Sequence, residues 1–218
     1  MRATDLRAYN DDTPPELEEI DYSDWKTRYV TTRCAGKRVL DLGCVMHSPE
    51  AYKDRYFLHR AIAGVAGEVI GLDLNPEGVA RLNNLGFRAV VGDAEAFAFD
   101  EPFDVIVAGD LVEHLGNLDG FLNSCLGALA PGGRIVVQTP NPWYWRNLMK
   151  AVVYREVPNN VEHTCWFCPR TFRQLVDRYG LTLANVEFGS RYLRDRLMPL
   201  PRGWRRLQPT RYGRNLLE

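Results

Sequence analysis

The sequence predicts an α/β fold in which helices cover both faces of a doubly wound, mostly parallel β-sheet. Five short apolar runs alternate with segments of helical periodicity, and this order is typical of a parallel sheet. Four of the runs are followed directly by a glycine or an acidic residue, which marks the turn after a strand. The length of 218 residues suits one such domain with additional segments.

Five apolar runs are predicted to form the strands of this sheet. They cover residues 38–42, 68–72, 88–91, 103–108 and 134–138. Apolar runs of this length, bounded by turn residues, are typical of buried strands. The fourth is the most continuously apolar run, so we expect it at the centre of the sheet.

The predicted helices begin at capping residues and end near glycine. Ser48 precedes a proline and is interpreted as the N-cap of a helix that continues to Gly67. Asn75 likewise precedes a proline, and the helix that it opens is expected to end at Gly86. Two further helices are expected over residues 21–34 and 117–129.

The two ends of the chain differ strongly in charge. Residues 11–24 contain seven acidic residues and no Lys or Arg, whereas residues 190–218 contain eight Arg and two acidic residues. Such segments are usually solvated, or they contact each other. We therefore divide the chain into an acidic lead-in with a helix (1–34) and a larger domain (35–218) whose basic C-terminal segment is 190–218.

Composition and charge give no indication of a nucleic-acid-binding, secreted or membrane-spanning protein. The net charge is −1, which gives no indication of a nucleic-acid partner. The N-terminus carries no apolar signal segment, and no run approaches the roughly 20 apolar residues of a membrane span. Five scattered cysteines fit reduced thiols, so we expect a cytoplasmic protein without stable membrane insertion. A single pair, Cys165 and Cys168, is too little for a zinc site, and no metal is predicted.

Acidic residues mark the carboxyl ends of four predicted strands: Asp41, Asp73, Asp93 and Asp110. Ligands of open α/β sheets bind at this edge. The diol of a ribose is best held by one carboxylate that accepts two hydroxyl hydrogen bonds, and Asp73 is placed for that role. Asp93 can accept from an adenine amino group, and the Ala94 N–H can donate to a ring nitrogen. The pattern favours a nucleoside-bearing ligand.

The predicted turn after the first strand also suits ligand binding. Gly43 lets the backbone approach a ligand closely. The helix expected to start near Ser48 would point its N-terminal N–H groups at the same place. Asp41 is expected to accept hydrogen bonds from N–H groups of this turn rather than to touch the ligand.

Five motifs in order resemble class I S-adenosylmethionine-dependent methyltransferases. The sequence is similar in particular to small-molecule O-methyltransferases of the ubiquinone-biosynthesis type. The resemblance covers about residues 36–189 and implies a Rossmann-like fold whose last strand is antiparallel. Because the chain has only residues 211–218 where that strand would begin, we expect the strand to be short or the chain to be truncated there. The matching segments are 39–44, 71–73, 92–94, 103–115 and 129–133, with 163–180 similar to the helix before strand six.

The resemblance implies both a cofactor site and an acceptor site. Asp110 either flanks the transferred methyl group or caps a helix that contains His114. Methylating a hydroxyl requires proton removal, for which His163 is the preferred base and His114 the second candidate. His47 and His59 are interpreted as structural or surface residues. The expected cofactor-binding residues are Asp41, Gly43, Cys44, Asp73, Leu74, Asp93, Ala94 and Asp110.

One departure from the family pattern concerns the turn after the first strand. The family has Asp-x-Gly-x-Gly-x-Gly, and here Val45 and His47 replace the second and third glycines. A β-branched residue stands where the backbone normally touches the cofactor. We expect the loop to take a different path, or the cofactor to sit slightly differently.

The sequence therefore predicts methyl transfer from S-adenosylmethionine to a small molecule, at a hydroxyl oxygen. Residues 141–168 are rich in aromatic residues and are interpreted as a lid over an apolar or aromatic acceptor. Homodimer formation is left open. Two alternatives remain: a degenerate methyltransferase fold that binds a nucleoside or a protein, and an NAD-type oxidoreductase. The second would need G-x-G-x-x-G after the first strand, which residues 43–48 do not supply.

Overall fold

The computed structural model describes residues 17–48, 50–142, 144–155, 160–189 and 214–217. Helices and strands alternate through most of this part of the chain, as predicted. The helices are α1 (Trp25–Cys34), α2 (Leu58–Ala63), α3 (Pro76–Asn84), α4 (Leu118–Ala128), α5 (Trp145–Tyr154) and α6 (Pro169–Asp177). The strands are β1 (Arg38–Leu42), β2 (Glu68–Asp73), β3 (Ala89–Val91), β4 (Phe103–Gly109), β5 (Leu129–Pro140), β6 (Val186–Gly189) and β7 (Arg214–Leu217).

The strands form one seven-stranded sheet in the order β3-β2-β1-β4-β5-β7-β6. The neighbours from β3 to β5 pair in parallel, and β7 pairs antiparallel with both β5 and β6. The strand order reverses between β1 and β4, which is the switch point of a doubly wound sheet. The predicted Rossmann-like fold with a short, antiparallel last strand is confirmed.

The core lies on both faces of β1 and β4. Leu40 and Ile106 belong to one apolar cluster with α4 and α6, whereas Val39 and Val105 belong to another with α1. Successive side chains of a strand point to opposite faces, so the same two strands supply both clusters. This double burial explains their continuous apolar sequence and fixes the strand ends that carry the site.

The helix predicted to start at Ser48 does not form there. The Ser48 hydroxyl accepts only a long hydrogen bond of 3.4 Å from the Glu50 N–H. A single 3₁₀ turn follows, and α2 starts nine residues later than predicted, at Leu58. The reason is a second turn at Asp54, whose carboxylate accepts from the Tyr56 N–H at 2.6 Å and so competes with helical hydrogen bonding.

The remaining helix predictions hold with shifted ends. Asn75 caps α3 by accepting from the backbone N–H groups of residues 77 and 78. Asp24 caps α1 through the Thr27 N–H, so α1 starts after residue 24 rather than at 21. The strand predicted over 134–138 begins earlier, at Leu129, because residues 130–133 form an irregularity inside β5.

Several predictions fall partly outside the described residues. Of the lead-in (1–34), the structure describes residues 17–34, and α1 packs on the core through Tyr29 and Val30. The basic segment (190–218) is described only in β7. Within the predicted lid (141–168), residues 143 and 156–159 lie outside the described part. No helix in the described ranges combines the length and the apolar character needed to cross a membrane.

Candidate active site

The carboxyl ends of the central strands meet at two adjoining clefts. The larger, of about 350 Å³, reaches from the loop after β1 to Lys26 and His163, and the smaller, of about 250 Å³, contains Asp73. We call them the histidine cleft and the Asp73 cleft. Both are lined by residues of the loop after β1 and by the end of β4. The residues that line both are Gly43, Val45, Met46, His47, Gly109, Asp110 and His114.

The loop after β1 folds back onto β2. Gly43 has a φ of 70°, which favours glycine, and its N–H donates to the Leu72 carbonyl at 2.8 Å. The Val45 N–H donates to Asp73 Oδ2 at 2.8 Å, and the Asn75 N–H donates to Asp73 Oδ1 at 2.9 Å. An ionised carboxylate has about four acceptor positions. Asp73 is therefore held by backbone groups on both oxygens and keeps acceptor capacity for a diol.

Val45 lines both clefts, and its β-branched side chain packs against α3. It lies against Gly78 in the first turn of α3, where a side chain would collide with it. The structure thus accommodates Val45 by packing its side chain on α3. The expected difference from the path of a glycine-rich loop stays a prediction. His47, in place of the third glycine, lines both clefts, and its ring centroid lies 6.1 Å from that of His114.

A buried pair forms part of the floor of the histidine cleft. Asp41 Oδ2 and His59 Nδ1 are 2.9 Å apart, and the two side chains are 4% and 0% exposed. Asp41 was expected to accept from the loop, and its partner is instead a histidine of α2. The His59 ring packs between Phe57 and Phe87. His59 is thus a structural residue, as one of its two interpretations stated, and it is not a surface residue.

Asp110 follows β4 and faces both clefts. Its φ of 53° lies in the left-handed region, and residues 112–114 form a turn rather than a helix. The interpretation of Asp110 as a helix cap is therefore wrong. Lys26 Nζ lies 3.1 Å from Asp110 Oδ2, and Gln138 Nε2 donates to Asp110 Oδ1 at 2.7 Å. These contacts tie α1 and β5 to the end of β4.

Lys26 is a cleft residue that the sequence analysis missed. It is 8% exposed and lines the histidine cleft from α1. In the sequence around Lys26, nothing distinguishes this residue from an ordinary surface lysine, because the residue that it pairs with, Asp110, is 84 positions further along the chain. The periodic aromatic residues Trp25 and Tyr29 were the available signal, since they show that this helix faces the core.

Two histidines from distant segments meet in the histidine cleft. The ring centroids of His114 and His163 are 4.7 Å apart, with the planes nearly perpendicular. Thr164 holds them together, because its N–H and its hydroxyl both donate to the Glu113 carbonyl. Burial and the neighbouring His114 lower the pKa of His163 below its usual 6.5. His163 is therefore neutral, and able to accept a proton, near pH 7.

The same corner has side chains suited to a cation. Ligand atoms of Glu113, His114 and His163 lie within 4.8 Å of one another. This group contains neither cysteine of the C-x-x-C pair. Cys168 instead precedes α6, where its N–H donates to the Thr171 hydroxyl at 3.1 Å. The group is compatible with a metal ion.

Four other expected cofactor residues are not among the described residues that line the Asp73 cleft, and one of them, Cys44, lines the histidine cleft. Asp93 Oδ1 accepts from the Glu95 N–H at 2.8 Å in a turn after β3. Ala94 is buried, and neither residue is among the described residues that line the two clefts. Leu74 is 67% exposed beside Asp73. Cys44 is buried, and burial raises the pKa of its thiol. Their cofactor contacts stay predictions.

Comparisons with known proteins find relatives that are methyltransferases. The chain is 35% identical over 138 residues to a probable S-adenosylmethionine-dependent methyltransferase of Mycolicibacterium smegmatis, covering 59% of this chain and 49% of that protein. It is 34% identical over 115 residues to a ubiquinone biosynthesis O-methyltransferase of Burkholderia ambifaria, covering 49% and 46%. The chain thus spans about half the length of the curated relatives it matches.

The fold is shared with solved structures. An S-adenosylmethionine-dependent methyltransferase from Archaeoglobus fulgidus superimposes with a TM-score of 0.62 at 20% identity, covering 87% of this chain and 88% of that one. A family model described as a methyltransferase domain matches residues 17–186, which is most of the chain. The chain therefore belongs to the class I S-adenosylmethionine-dependent methyltransferase family.

Proposed function

We propose that this protein transfers a methyl group from S-adenosylmethionine to a hydroxyl oxygen of a small molecule. The observation that carries the proposal is the junction of the two clefts at Asp110 and His114. One cleft offers a preorganised carboxylate, Asp73, and the other offers a neutral histidine, His163. A nucleoside in the first would present its reactive end at the junction, next to an acceptor in the second.

The cofactor half of the proposal rests on the edge of β1 and β2. Asp73 would accept both hydroxyl groups of the ribose, because its two oxygens are already oriented by backbone donors. Asp93 and Ala94 would hold the adenine, as the family resemblance implies. Bound S-adenosylmethionine supplies an activated methyl group and leaves S-adenosylhomocysteine. The acidic side chains Asp41, Asp110 and Glu113 favour the positive sulfonium.

The acceptor half rests on His163. Its lowered pKa keeps the imidazole neutral at physiological pH, so it can take the hydroxyl proton as the oxygen attacks the methyl carbon. His114 stands against the His163 ring and would orient it. Holding the oxygen, the methyl carbon and the sulfur in line supplies most of the acceleration for such a transfer.

The lining of the histidine cleft indicates an acceptor class. Tyr56, Phe57 and Met46 lie beside the charged Lys26 and Asp110. This mixture fits an aromatic ring with polar substituents better than a purely aliphatic acceptor. The described apolar side chains Met149, Val152 and Val153 of α5 are exposed, and this supports the proposed role of the helix as a lid over an apolar acceptor.

Cofactor binding is the decisive test. We expect S-adenosylhomocysteine to bind the purified protein with micromolar affinity in calorimetric titration. Asp73→Ala should weaken binding at least about tenfold, because a hydrogen bond to a charged group contributes about 1.5–3 kcal/mol. Asp100→Ala, which removes an exposed carboxylate away from both clefts, is the matched control and should bind as wild type.

The competing function is a binding module without methyl transfer. It is favoured by the replacement of two motif glycines with Val45 and His47. Absence of S-adenosylhomocysteine binding by a folded wild-type protein would reject the enzyme proposal. Cofactor binding together with no transfer to any member of a panel of hydroxylated aromatics would favour the module.

A further inference from the structure

The contact between Val45 and α3 has a specific geometry. A Cβ placed on Gly78 would lie 2.3 Å from Val45 Cγ1, 2.9 Å from Cγ2 and 3.1 Å from Cβ. Carbon atoms do not approach to the first two distances, so the Val45 side chain occupies the space that any other residue at position 78 would need. The two residues are 33 positions apart and come from different elements.

Backbone conformation does not require glycine at position 78. Gly78 lies in the first turn of α3 and is not among the described glycines with positive φ. A glycine inside a helix is less favourable than alanine by roughly 0.5–1 kcal/mol. Close approach of the loop explains why it stands there, since Val45 also contacts the apolar cluster under α3.

The same residue holds the Asp73 carboxylate. The side chain of Val45 is seated on Gly78 while its N–H donates to Asp73 Oδ2 at 2.8 Å. The position of this N–H is therefore set by the packing of the side chain that belongs to it. Moving the side chain off α3 would move the donor away from the carboxylate.

We propose that Val45 and Gly78 form a matched pair that replaces the missing motif glycines and orients Asp73 for the cofactor. In this arrangement the conformation of the loop after β1 is set by a side chain that packs against α3, and not by the conformational freedom of glycine. Val45 and Gly78 are thus positioning residues, which act on the cofactor through Asp73. The proposal rests on the proposed function, because it takes Asp73 as the ribose-binding group.

A double-mutant cycle tests the pair. Gly78→Ala should weaken S-adenosylhomocysteine binding about tenfold or more, because the added Cβ would displace the Val45 side chain from its contact with α3. Val45→Ala removes both γ-carbons, so the double variant V45A/G78A should bind within about threefold of V45A alone. Gly127→Ala is the matched control, since Gly127 also lies in a helix and a Cβ there meets nothing within 4 Å.

If Gly78 had a purely structural role, G78A would lower the melting temperature together with the affinity. The proposal instead expects G78A to lose affinity while its melting temperature stays within a few degrees of wild type, because alanine favours the helix. Wild-type affinity in G78A, or a V45A/G78A variant that binds more than about threefold more weakly than V45A alone, would overturn the proposal. If G78A does not fold, recovery of folding and binding in V45A/G78A supports the pair, and failure of both rejects it. Wild-type binding is measured in the same series, so failure of the proposed function is seen separately.

Discussion

The two clefts are built in opposite ways. The Asp73 cleft lies where the ends of three neighbouring strands, β1, β2 and β4, meet, and its key carboxylate is fixed by two backbone N–H groups. The histidine cleft is assembled from α1, the end of β4 and the segment before α6. Lys26, Asp110 and His163 reach it from distant parts of the chain. The first is a local motif on the sheet, and the second depends on tertiary packing.

This difference predicts that the two clefts can be inactivated separately. His163→Gln should lower kcat about 10²–10⁴-fold, the usual contribution of a general base, because glutamine cannot take the proton. Affinity for S-adenosylhomocysteine should stay at the wild-type value, since Asp73 is untouched. The measurement is radiolabelled methyl transfer to a hydroxylated aromatic acceptor such as 3,4-dihydroxybenzoate, with calorimetry in parallel.

The exposed neighbour of His163 provides a control for this experiment. Glu162→Gln changes a side chain that is not among the residues lining the cleft, and it should leave kcat nearly unchanged. Equal losses of kcat in both variants, or loss of cofactor affinity in His163→Gln, would show that the two clefts are not independent.

A second prediction concerns the buried pair beneath the clefts. His59→Ala leaves the Asp41 carboxylate buried without its partner, and should lower the free energy of unfolding by about 3–5 kcal/mol. Asp41→Ala leaves a histidine instead of a buried carboxylate and should be less damaging. Urea denaturation measures both. Asp100→Ala should stay within about 0.5 kcal/mol of wild type, as surface substitutions usually do.

A smaller loss in His59→Ala than in Asp41→Ala would contradict this assignment, because it would mean that Asp41 tolerates burial alone. The two variants also distinguish an effect on stability from an effect on catalysis. Neither substitution removes the neutral His163, so an activity loss in a variant that remains folded would indicate distortion of the cleft floor.

The same contrast explains which parts of the protein the sequence predicts. The strands, their order and the edge that carries Asp73 follow from apolar runs and turn residues, which are local signals. The start of α2 was mispredicted because the turn at Asp54 competes with the cap at Ser48. Lys26 was missed because burial of a lysine depends on a carboxylate that is distant in sequence.

The path of the loop shows how far a family pattern can be carried over. The absence of glycine at positions 45 and 47 predicts an altered loop, and the structure shows that Val45 is accommodated by packing on α3. Gly78, which leaves room for the Val45 side chain, lies in α3 and belongs to none of the matching sequence motifs. Only the contact between the two residues reveals why a valine fits after β1.

The smallest expected effect is a shift in pH dependence, and it tests the histidine pair itself. Burial, followed by His114, lowers the pKa of His163, so its neutral form should persist at a more acidic pH than for an ordinary histidine. The acidic limb of kcat/KM against pH, which reports groups of the free enzyme, should therefore have its midpoint below 6.5. His114→Gln removes the second cause but not burial, so the midpoint should move upward without reaching the value of an exposed histidine. A limb that does not respond to His114→Gln would mean that the two rings do not interact, and the proton acceptor would then have to be sought elsewhere in the histidine cleft.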